Sequence, residues 1–241
     1  MGVLLLASDF DGTLAPIRHD PESVRIDPRA LDLFRRAREV DGIAVSLISG
    51  RDADDLRSRA GGLDVWYSGS HGHEIVAPGG KKIREAEPWS GSPPNSWLEE
   101  AGRAGIRLER KRYGVAAHWR GLPEVDADHP LVCSFEQWAE SEGLEIIRGR
   151  AVAEASVGGA SKEEVLRWLA EHLDAERVIY AGDDLTDFAA LTYAASRGRG
   201  FFVASPERKE QPEGKVDRIE GMDALLAAFE EEIERHAKAA G

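Results

Sequence analysis

Val3-Leu4-Leu5-Leu6-Ala7 runs through Ser8 into Asp9-Phe10-Asp11-Gly12-Thr13-Leu14, and this stretch decides how the rest of the chain is read. The apolar run is too short for a membrane span and suits a strand buried inside a sheet. Two carboxylates two residues apart at the end of such a strand are costly unless something compensates them. A divalent cation would do so, and open α/β sheets place ligands at the carboxyl ends of their strands. An aspartate held beside a cation can attack phosphorus and form an aspartyl-phosphate. The alternative is a plain turn with two exposed aspartates and a glycine.

Outward from this strand, strand and helix signals alternate over the first ninety residues. Asp27-Pro28 reads as an N-cap followed by proline at the first helical position. Ala30, Leu31, Phe34 and Ala37 then repeat at helical spacing up to Gly42. Ile43–Ile48 is a second apolar strand, Ser49-Gly50-Arg51 follows it, and a helix opens at Asp52. Val65–Ser68 reads as a third strand. Glu74–Ala77 and Lys82–Glu85, around Pro78-Gly79-Gly80, read as a hairpin. The Pro-, Ser- and Gly-rich stretch 86–95 marks a boundary.

Beyond it the pattern changes. Helices near Ser96–Arg103 and Pro130–Glu142, with strands near Arg107–Arg110, Gly114–Arg120, Leu144–Ile147 and Ala151–Ala155, give an αββαββ series. Such a series suits a small α+β module inserted into a larger fold. Val157-Gly158-Gly159-Ala160 is the return linker. The α/β pattern then resumes with a Ser161/Glu164 capping box, a strand at Val178–Ala181 and a last strand at Phe201–Ala204. A final amphipathic helix from Met222 turns Leu225, Leu226, Phe229 and Ile233 inward and Glu230-Glu231-Glu232 to solvent. The expected architecture is a Rossmann-like, doubly wound parallel sheet over residues 1–87 and 158–241, with an α+β domain inserted at 88–157.

Composition removes several functional classes. The 241 residues are 42% hydrophobic and 31% charged, ordinary for a soluble globular protein and unlike a disordered or membrane-inserted one. A formal net charge of −13 argues against non-specific nucleic-acid binding, which needs clustered Lys and Arg. It leaves a phosphate ester open as substrate, because one metal and a few cations dominate locally. Cys133 is the single cysteine, so no intrachain disulfide forms and a reducing cytoplasm is expected. The apolar start lacks the basic flank of a signal peptide.

Three further places carry chemistry, each where a strand ends or a helix begins. At Ser49-Gly50-Arg51 a hydroxyl and free N–H groups could hold a phosphoryl oxygen. Lys162 sits in the first turn of a helix, where a cation opposes the helix dipole, so helix stability does not explain it. Gly182-Asp183-Asp184-Leu185-Thr186-Asp187 puts three carboxylates on a strand-end loop, and an N-capping role accounts for only one of them.

In this order, Asp9/Asp11, Ser49, Lys162 and Asp183/Asp187 resemble the four motifs of the haloacid dehalogenase-like superfamily over essentially the whole chain. The resemblance implies Asp9 as the nucleophile and Asp11 as the general acid and then base. It implies Ser49 as a phosphoryl hydrogen-bonding group and Lys162 as the charge-neutralising cation. It also implies a Mg²⁺ site of Asp9, Asp11 through its carbonyl, Asp183 and Asp187, with Asp184 as an additional candidate. An all-oxygen donor set suits that hard cation. The αββαββ insertion resembles the C2B cap of the sugar-phosphate branch.

The runs DFDGTLAPI (9–17), ISGR (48–51), SGSHGHEI (68–75), KRYGVAAHWR (111–120) and GDDLTD (182–187) are similar to those of trehalose-6-phosphate phosphatases. On that resemblance Gly50, Arg51, His71, Gly72, Glu74, Lys111, His118, Arg120 and Glu154 are candidate substrate-binding residues. Strand alternation would put Ala116, His118 and Arg120 on one face and Val115, Ala117 and Trp119 on the packing face. The expected partners are a small-molecule sugar phosphate, without nucleic acid or membrane, and a functional link to a trehalose-6-phosphate synthase; a monomer is expected.

The chain also departs from the family pattern. Ser70 stands where the family usually has Asn, and Glu154-Ala155-Ser156-Val157 lacks an Arg-Pro. Glu163 replaces the usual Gly, and Trp119 replaces Tyr. The first two touch the sugar end. Another glycosyl phosphate, glucosylglycerol phosphate or mannosyl-3-phosphoglycerate, therefore stays open as substrate. A phosphomutase and a non-catalytic sugar-phosphate-binding module are weaker readings, the latter because a pure binder has no need of both Asp9 and Asp11.

Overall fold

A computed structural model describes residues 2–18, 20–149, 151–204 and 210–240. Contacts divide the chain into two compact units, Met1–Glu85 with Ala160–Gly241, and Ala86–Gly159. The first unit begins with β1 (Val3–Ser8), α1 (Pro28–Arg38), β2 (Ile43–Ile48), α2 (Ala53–Arg59), β3 (Trp66–Gly69), β4 (Glu74–Val76) and β5 (Lys82–Glu85). The second unit holds α3 (Asn95–Ala104), β6 (Arg107–Lys111), β7 (Gly114–His118), α4 (Pro130–Ser141), β8 (Glu145–Gly149) and β9 (Val152–Ser156). The chain returns to the first unit with α5 (Lys162–His172), β10 (Ala175–Gly182), α6 (Phe188–Arg197), β11 (Gly198–Val203), β12 (Asp217–Ile219) and α7 (Gly221–Ala240).

Eight strands form the sheet of the first unit in the order β12-β11-β10-β1-β2-β3-β4-β5. Strands β1, β2, β3, β10, β11 and β12 run parallel, and β4 and β5 return antiparallel at one edge. The apolar start of the chain is buried on both faces because β1 lies in the middle of this sheet. Leu4 and Leu6 pack with Phe34, Leu56 and Phe229 from α1, α2 and α7, and Leu5 and Ala7 pack with Leu166, Leu169 and Leu191 from α5 and α6. Each fully buried leucine contributes roughly 1.5–3 kcal/mol over leaving it exposed. From β1 the order runs one way to β2 and the other way to β10. The switch point, where open α/β sheets bind ligands, therefore lies at the carboxyl ends of β1 and β10.

Local chemistry fixes the helix starts. Asp27 accepts the Arg29 N–H at 2.8 Å and Pro28 opens α1. At α5, Ser161 Oγ accepts the Glu164 N–H at 3.1 Å, while the Glu164 side chain is exposed. Only the serine half of the expected box is therefore formed. The full reciprocal box sits at Asp184/Asp187 instead.

Three other expectations change. The strand at Phe201–Ala204 begins earlier, at Gly198, and is not the last, because β12 pairs beside it in parallel. Glu232 is fully buried, where the Glu230–Glu232 run was expected in solvent. Strand β7 ends at His118, so Arg120 is not on it. A turn closed by the Leu122 N–H on the Trp119 carbonyl (3.0 Å) carries Arg120 off the sheet into an exposed position.

The second unit is a four-stranded antiparallel sheet, β6-β7-β9-β8, with two helices on one face. Val115, Ala117, Ala153 and Ala155 pack there with Trp97 and Phe135, and Trp119, Trp89 and Trp138 complete that core. The pairing register Glu109–Ala116–Glu154 defines the other face, which also carries Lys111 and His118. Among the described residues no helix is long and apolar enough to cross a membrane.

Candidate active site

The carboxyl ends of β1, β2 and β10 bring together most of the residues read from the sequence. Strand β1 is tied to β10 up to its last turn, with the Asp9 N–H on the Ala181 carbonyl at 2.8 Å. Asp9 as a whole is only 4% exposed. Its Oδ1 accepts Lys162 Nζ at 2.6 Å, and its Oδ2 accepts the Thr13 hydroxyl at 3.2 Å. Lys162 is equally buried at the first position of α5, and its Nζ also donates to Asp187 Oδ1 at 2.8 Å. Two carboxylates thus explain a lysine that the helix dipole disfavours.

Asp187 has no exposed surface and accepts four hydrogen bonds. Oδ1 takes Lys162 Nζ and the Tyr180 hydroxyl (2.6 Å), and Oδ2 takes the Asp183 and Asp184 N–H groups (3.2 and 3.0 Å). Gly182 permits this approach, since a Cβ there would fall 2.4 Å from Asp187 Cγ. Asp184 Oδ1 is turned to its own loop and accepts the Leu185 N–H at 2.8 Å.

Carboxylate oxygens of Asp9, Asp183 and Asp187 lie within 4.8 Å of one another. Three buried carboxylates against one ammonium leave two negative charges. Burial pushes the Asp9 carboxyl well above its ordinary value; Lys162 pulls it down, and Asp187 and Asp183 push it up again. Lys162 is shifted upward because Asp187 and Asp9 outweigh the cost of its burial, so it stays an ammonium. A hard divalent cation fits this all-oxygen set and its charge deficit.

Asp11 stands apart from that cluster. Arg51 forks onto it, Nε to Oδ2 at 2.6 Å and Nη2 to Oδ1 at 2.7 Å, and Arg51 Nη1 also reaches Asp55 at 3.1 Å. Ser49 is buried, and its Oγ accepts the Arg51 N–H at 3.2 Å. The loop after β3 is strapped to this turn by the Ser70 N–H on the Arg51 carbonyl (2.7 Å) and the His71 N–H on the Ser49 carbonyl (3.0 Å). Ser70 and His71 hold φ of 50° and 56°, two consecutive left-handed residues leading into Gly72. His71 lies against Gly50, where an added Cβ would fall 2.5 Å from its Nε2. Glu74 is buried and caps α2 through the Ala53 N–H, 2.7 Å from Oε2.

The remaining sugar-end candidates belong to the second unit. Lys111 is ion-paired with the buried Glu154, and His118 Nε2 lies 2.7 Å from Glu109. The hydrogen bond from His118 holds the Glu109 carboxyl below its ordinary value. Arg120 is exposed in the turn beyond β7.

Sequence reasoning passed over Thr13, Tyr180 and Glu109. The signal for Tyr180 was present: a tyrosine inside a buried apolar strand needs a partner for its hydroxyl, and this strand ends in three carboxylates.

A model of the trehalose-phosphatase family matches residues 7–193. The chain belongs to the trehalose-phosphatase family. Its similarity to a trehalose-phosphate phosphatase of Mycobacterium marinum is 31% identity over 236 residues, covering 92% of this chain and 59% of that one. An uncharacterized glycosyl hydrolase of Mycobacterium tuberculosis is 33% identical over 226 residues, 88% of this chain and 17% of the relative. The chain thus spans three-fifths or less of the length of these relatives. Among solved structures, the C-terminal domain of C. albicans trehalose-6-phosphate phosphatase superposes with a TM-score of 0.69 at 20% identity, over 97% of this chain and 93% of that one. A haloacid dehalogenase-like hydrolase from Bacteroides thetaiotaomicron gives 0.67 at 18% identity, over 96% and 99%. At such identities these neighbours establish the fold: a haloacid dehalogenase-like, Rossmann-type core with an inserted cap.

Proposed function

We propose that this trehalose-phosphatase family member is a Mg²⁺-dependent phosphatase that hydrolyses trehalose 6-phosphate to trehalose and phosphate. The observation that carries the reading is the Lys162 ammonium bridging Asp9 and Asp187 within a buried group of three carboxylates. A pure binding module gains nothing from so costly an arrangement. Asp9 and Asp183, with the main-chain carbonyl of Asp11, would hold the metal, and Asp187 would join them as one of its four hydrogen bonds opens. Bound there, Mg²⁺ would neutralise charge on the phosphoryl oxygens and on Asp9.

The residues then divide the reaction. Asp9 forms a bond to phosphorus as the bond from phosphorus to the sugar oxygen breaks, and Asp11 gives that oxygen its proton. Water then attacks phosphorus, Asp11 takes the proton, and Asp9 is released. Ser49 would hydrogen-bond a phosphoryl oxygen, and Lys162 would balance the charge that Asp9 and phosphate share. The Arg51 fork takes one lone pair on each oxygen of Asp11, so the proton that Asp11 exchanges with the leaving oxygen would sit on a remaining one.

Gly50, Arg51, His71, Gly72 and Glu74 of the first unit, and Lys111, His118, Arg120 and Glu154 of the second, are assigned to the sugar phosphate. The pairs Lys111–Glu154 and Glu109–His118 support this by offering hydroxyl groups both donors and acceptors. A reducing cytoplasm suits the single Cys133, and a trehalose-6-phosphate synthase would supply the substrate.

The test is phosphate release with Mg²⁺ from trehalose 6-phosphate, glucose 6-phosphate, glucosylglycerol phosphate, mannosyl-3-phosphoglycerate and p-nitrophenyl phosphate. The expected result is a kcat/KM for trehalose 6-phosphate about a hundredfold above the others, or ~2.7 kcal/mol. Asp9→Asn should lose turnover on every ester. Hydrolysis without that preference would keep the phosphatase and move the substrate to another glycosyl phosphate. Turnover by Asp9→Asn within tenfold of wild type would sink the mechanism.

A further inference from the structure

Strand β10 ends Val178-Ile179-Tyr180-Ala181-Gly182, and Tyr180 is completely buried in it. Its ring packs in the core face shared with α5 and α6, while its hydroxyl donates to Asp187 Oδ1 at 2.6 Å. The same oxygen accepts Lys162 Nζ, and Lys162 Nζ in turn reaches Asp9 Oδ1. The other oxygen of Asp187 receives the N–H groups of Asp183 and Asp184. Asp187 has no exposed surface, so every donor it keeps must come from inside the protein.

Tyr180 is the one neutral side-chain donor to Asp187 among the described contacts. Without its hydroxyl, Oδ1 would depend on Lys162 alone. The ammonium would then be drawn toward Asp187 and away from Asp9, and the carboxylate would be free to turn about its side-chain axis. That turn would loosen the two N–H bonds holding the backbone that carries Asp183.

We propose that Tyr180 is a positioning residue: its hydroxyl fixes the Asp187 carboxylate, and thereby divides Lys162 between Asp9 and Asp187 and sets the loop that presents Asp183. The proposal rests on the phosphatase reading above for its kinetic consequence, though not for its structural one. Partners of this kind behind a metal site typically change affinity or activity about 10–100-fold when removed.

The test is Tyr180→Phe, which keeps the ring and removes only the donor. Mg²⁺ binding is measured by titration calorimetry without substrate, and kcat and KM with the ester that the wild type hydrolyses best. The expected result is a Mg²⁺ Kd raised about tenfold or more and kcat lowered about tenfold or more, with KM within about threefold. A melting temperature lowered while Mg²⁺ Kd and kcat stay within about twofold would show packing alone and overturn the proposal. Amide hydrogen exchange at Asp183 and Asp184 gives a readout independent of activity, and should be at least about tenfold faster in the variant while β1 amides are unchanged. Unchanged exchange overturns the proposal as well. If the wild type neither binds Mg²⁺ nor releases phosphate, the phosphatase reading falls, and the exchange measurement alone decides Tyr180.

Discussion

Lys162 shows how a residue that looks misplaced in one dimension is accounted for in three. Its position at the start of a helix was legible, and so was the conflict with the dipole; the two carboxylates that hold it come from β1 and from the loop after β10. Replacing one partner of a buried ion pair leaves its charge uncompensated, at about 3–5 kcal/mol. Lys162→Ala should therefore lose both turnover and stability, read as phosphate release and as thermal unfolding in chelator. Lys162→Arg should not rescue it, because a planar fork does not replace a compact ammonium at two oxygens. The strained pair Ser70 and His71 was not legible as strain, since backbone angles of this kind leave no mark in a serine–histidine sequence. Asparagine tolerates the left-handed region better than serine and can still bond Asp52, as Ser70 Oγ does at 3.0 Å. Ser70→Asn should raise stability by about 0.5–1 kcal/mol, seen as a melting temperature about 1–4 °C higher. A lower melting temperature would show that the turn is held by the serine itself.

At the level of elements, the strongly patterned pieces were readable and the weakly patterned ones were not. Strand β1, the cap on α1 and the αββαββ order of the inserted unit follow from apolar runs, capping residues and turn signals. Strand β12 has three residues at a sheet edge, too few for any period to show. Arg120 was drawn onto β7 by alternation, whereas Gly121-Leu122-Pro123 right after it carried the turn signal. Helix α7 gives the clearest lesson. Leu225, Phe229, Glu232, Ile233 and His236 fall on one helical stripe, and all five are buried. Charge argued for solvent and spacing argued for the interior; spacing won because Arg177, Arg199 and Arg235 meet Glu232 at 2.6, 3.2 and 2.7 Å. Glu232 thus ties α7 to β10 and β11. Glu232→Ala should cost about 2 kcal/mol, read as a melting temperature about 4–8 °C lower. Glu231→Ala, on the exposed side of the same turn, should change it far less.

For the molecule as a whole, acid sensitivity follows from how its carboxylates are held. Hydrogen bonds from Arg29 and Arg36 keep Asp27 and Glu230 below their ordinary values, and His118 does the same for Glu109. At Asp55 burial works in the opposite sense, and the Arg59 and Arg51 bonds outweigh it. Each group is more acidic folded than unfolded. Its stabilisation is present above the unfolded value and is lost as pH falls through the folded one. The contribution of these four groups to melting temperature should be level between about pH 7 and 5 and decline below about pH 4.5, while Asp9, raised by burial, works in the opposite sense and loses stabilisation as pH rises. A decline that begins instead near pH 6.5 would assign the acid transition to histidines. Because several of these pairs are solvent-facing, 1 M salt should flatten the decline.

The placing of the inserted unit also sets a timetable. Lys162 lies 153 residues after Asp9, and β1 finds its partner β10 only after all of 86–159 has been made. At ribosomal speeds of roughly 5–20 residues per second, that is a wait of roughly 8–30 s. At its end β1 has β2 on one side and no strand on the other, while the inserted unit, contiguous in sequence, possesses all its own strands. A chain cut short between residues 160 and 175, once clear of the ribosome, would therefore carry all of the inserted unit attached to an unfinished core, with Asp9 still lacking the strand beside it. The length of chain inside the insertion acts as a delay between the making of Asp9 and the completion of the acidic centre.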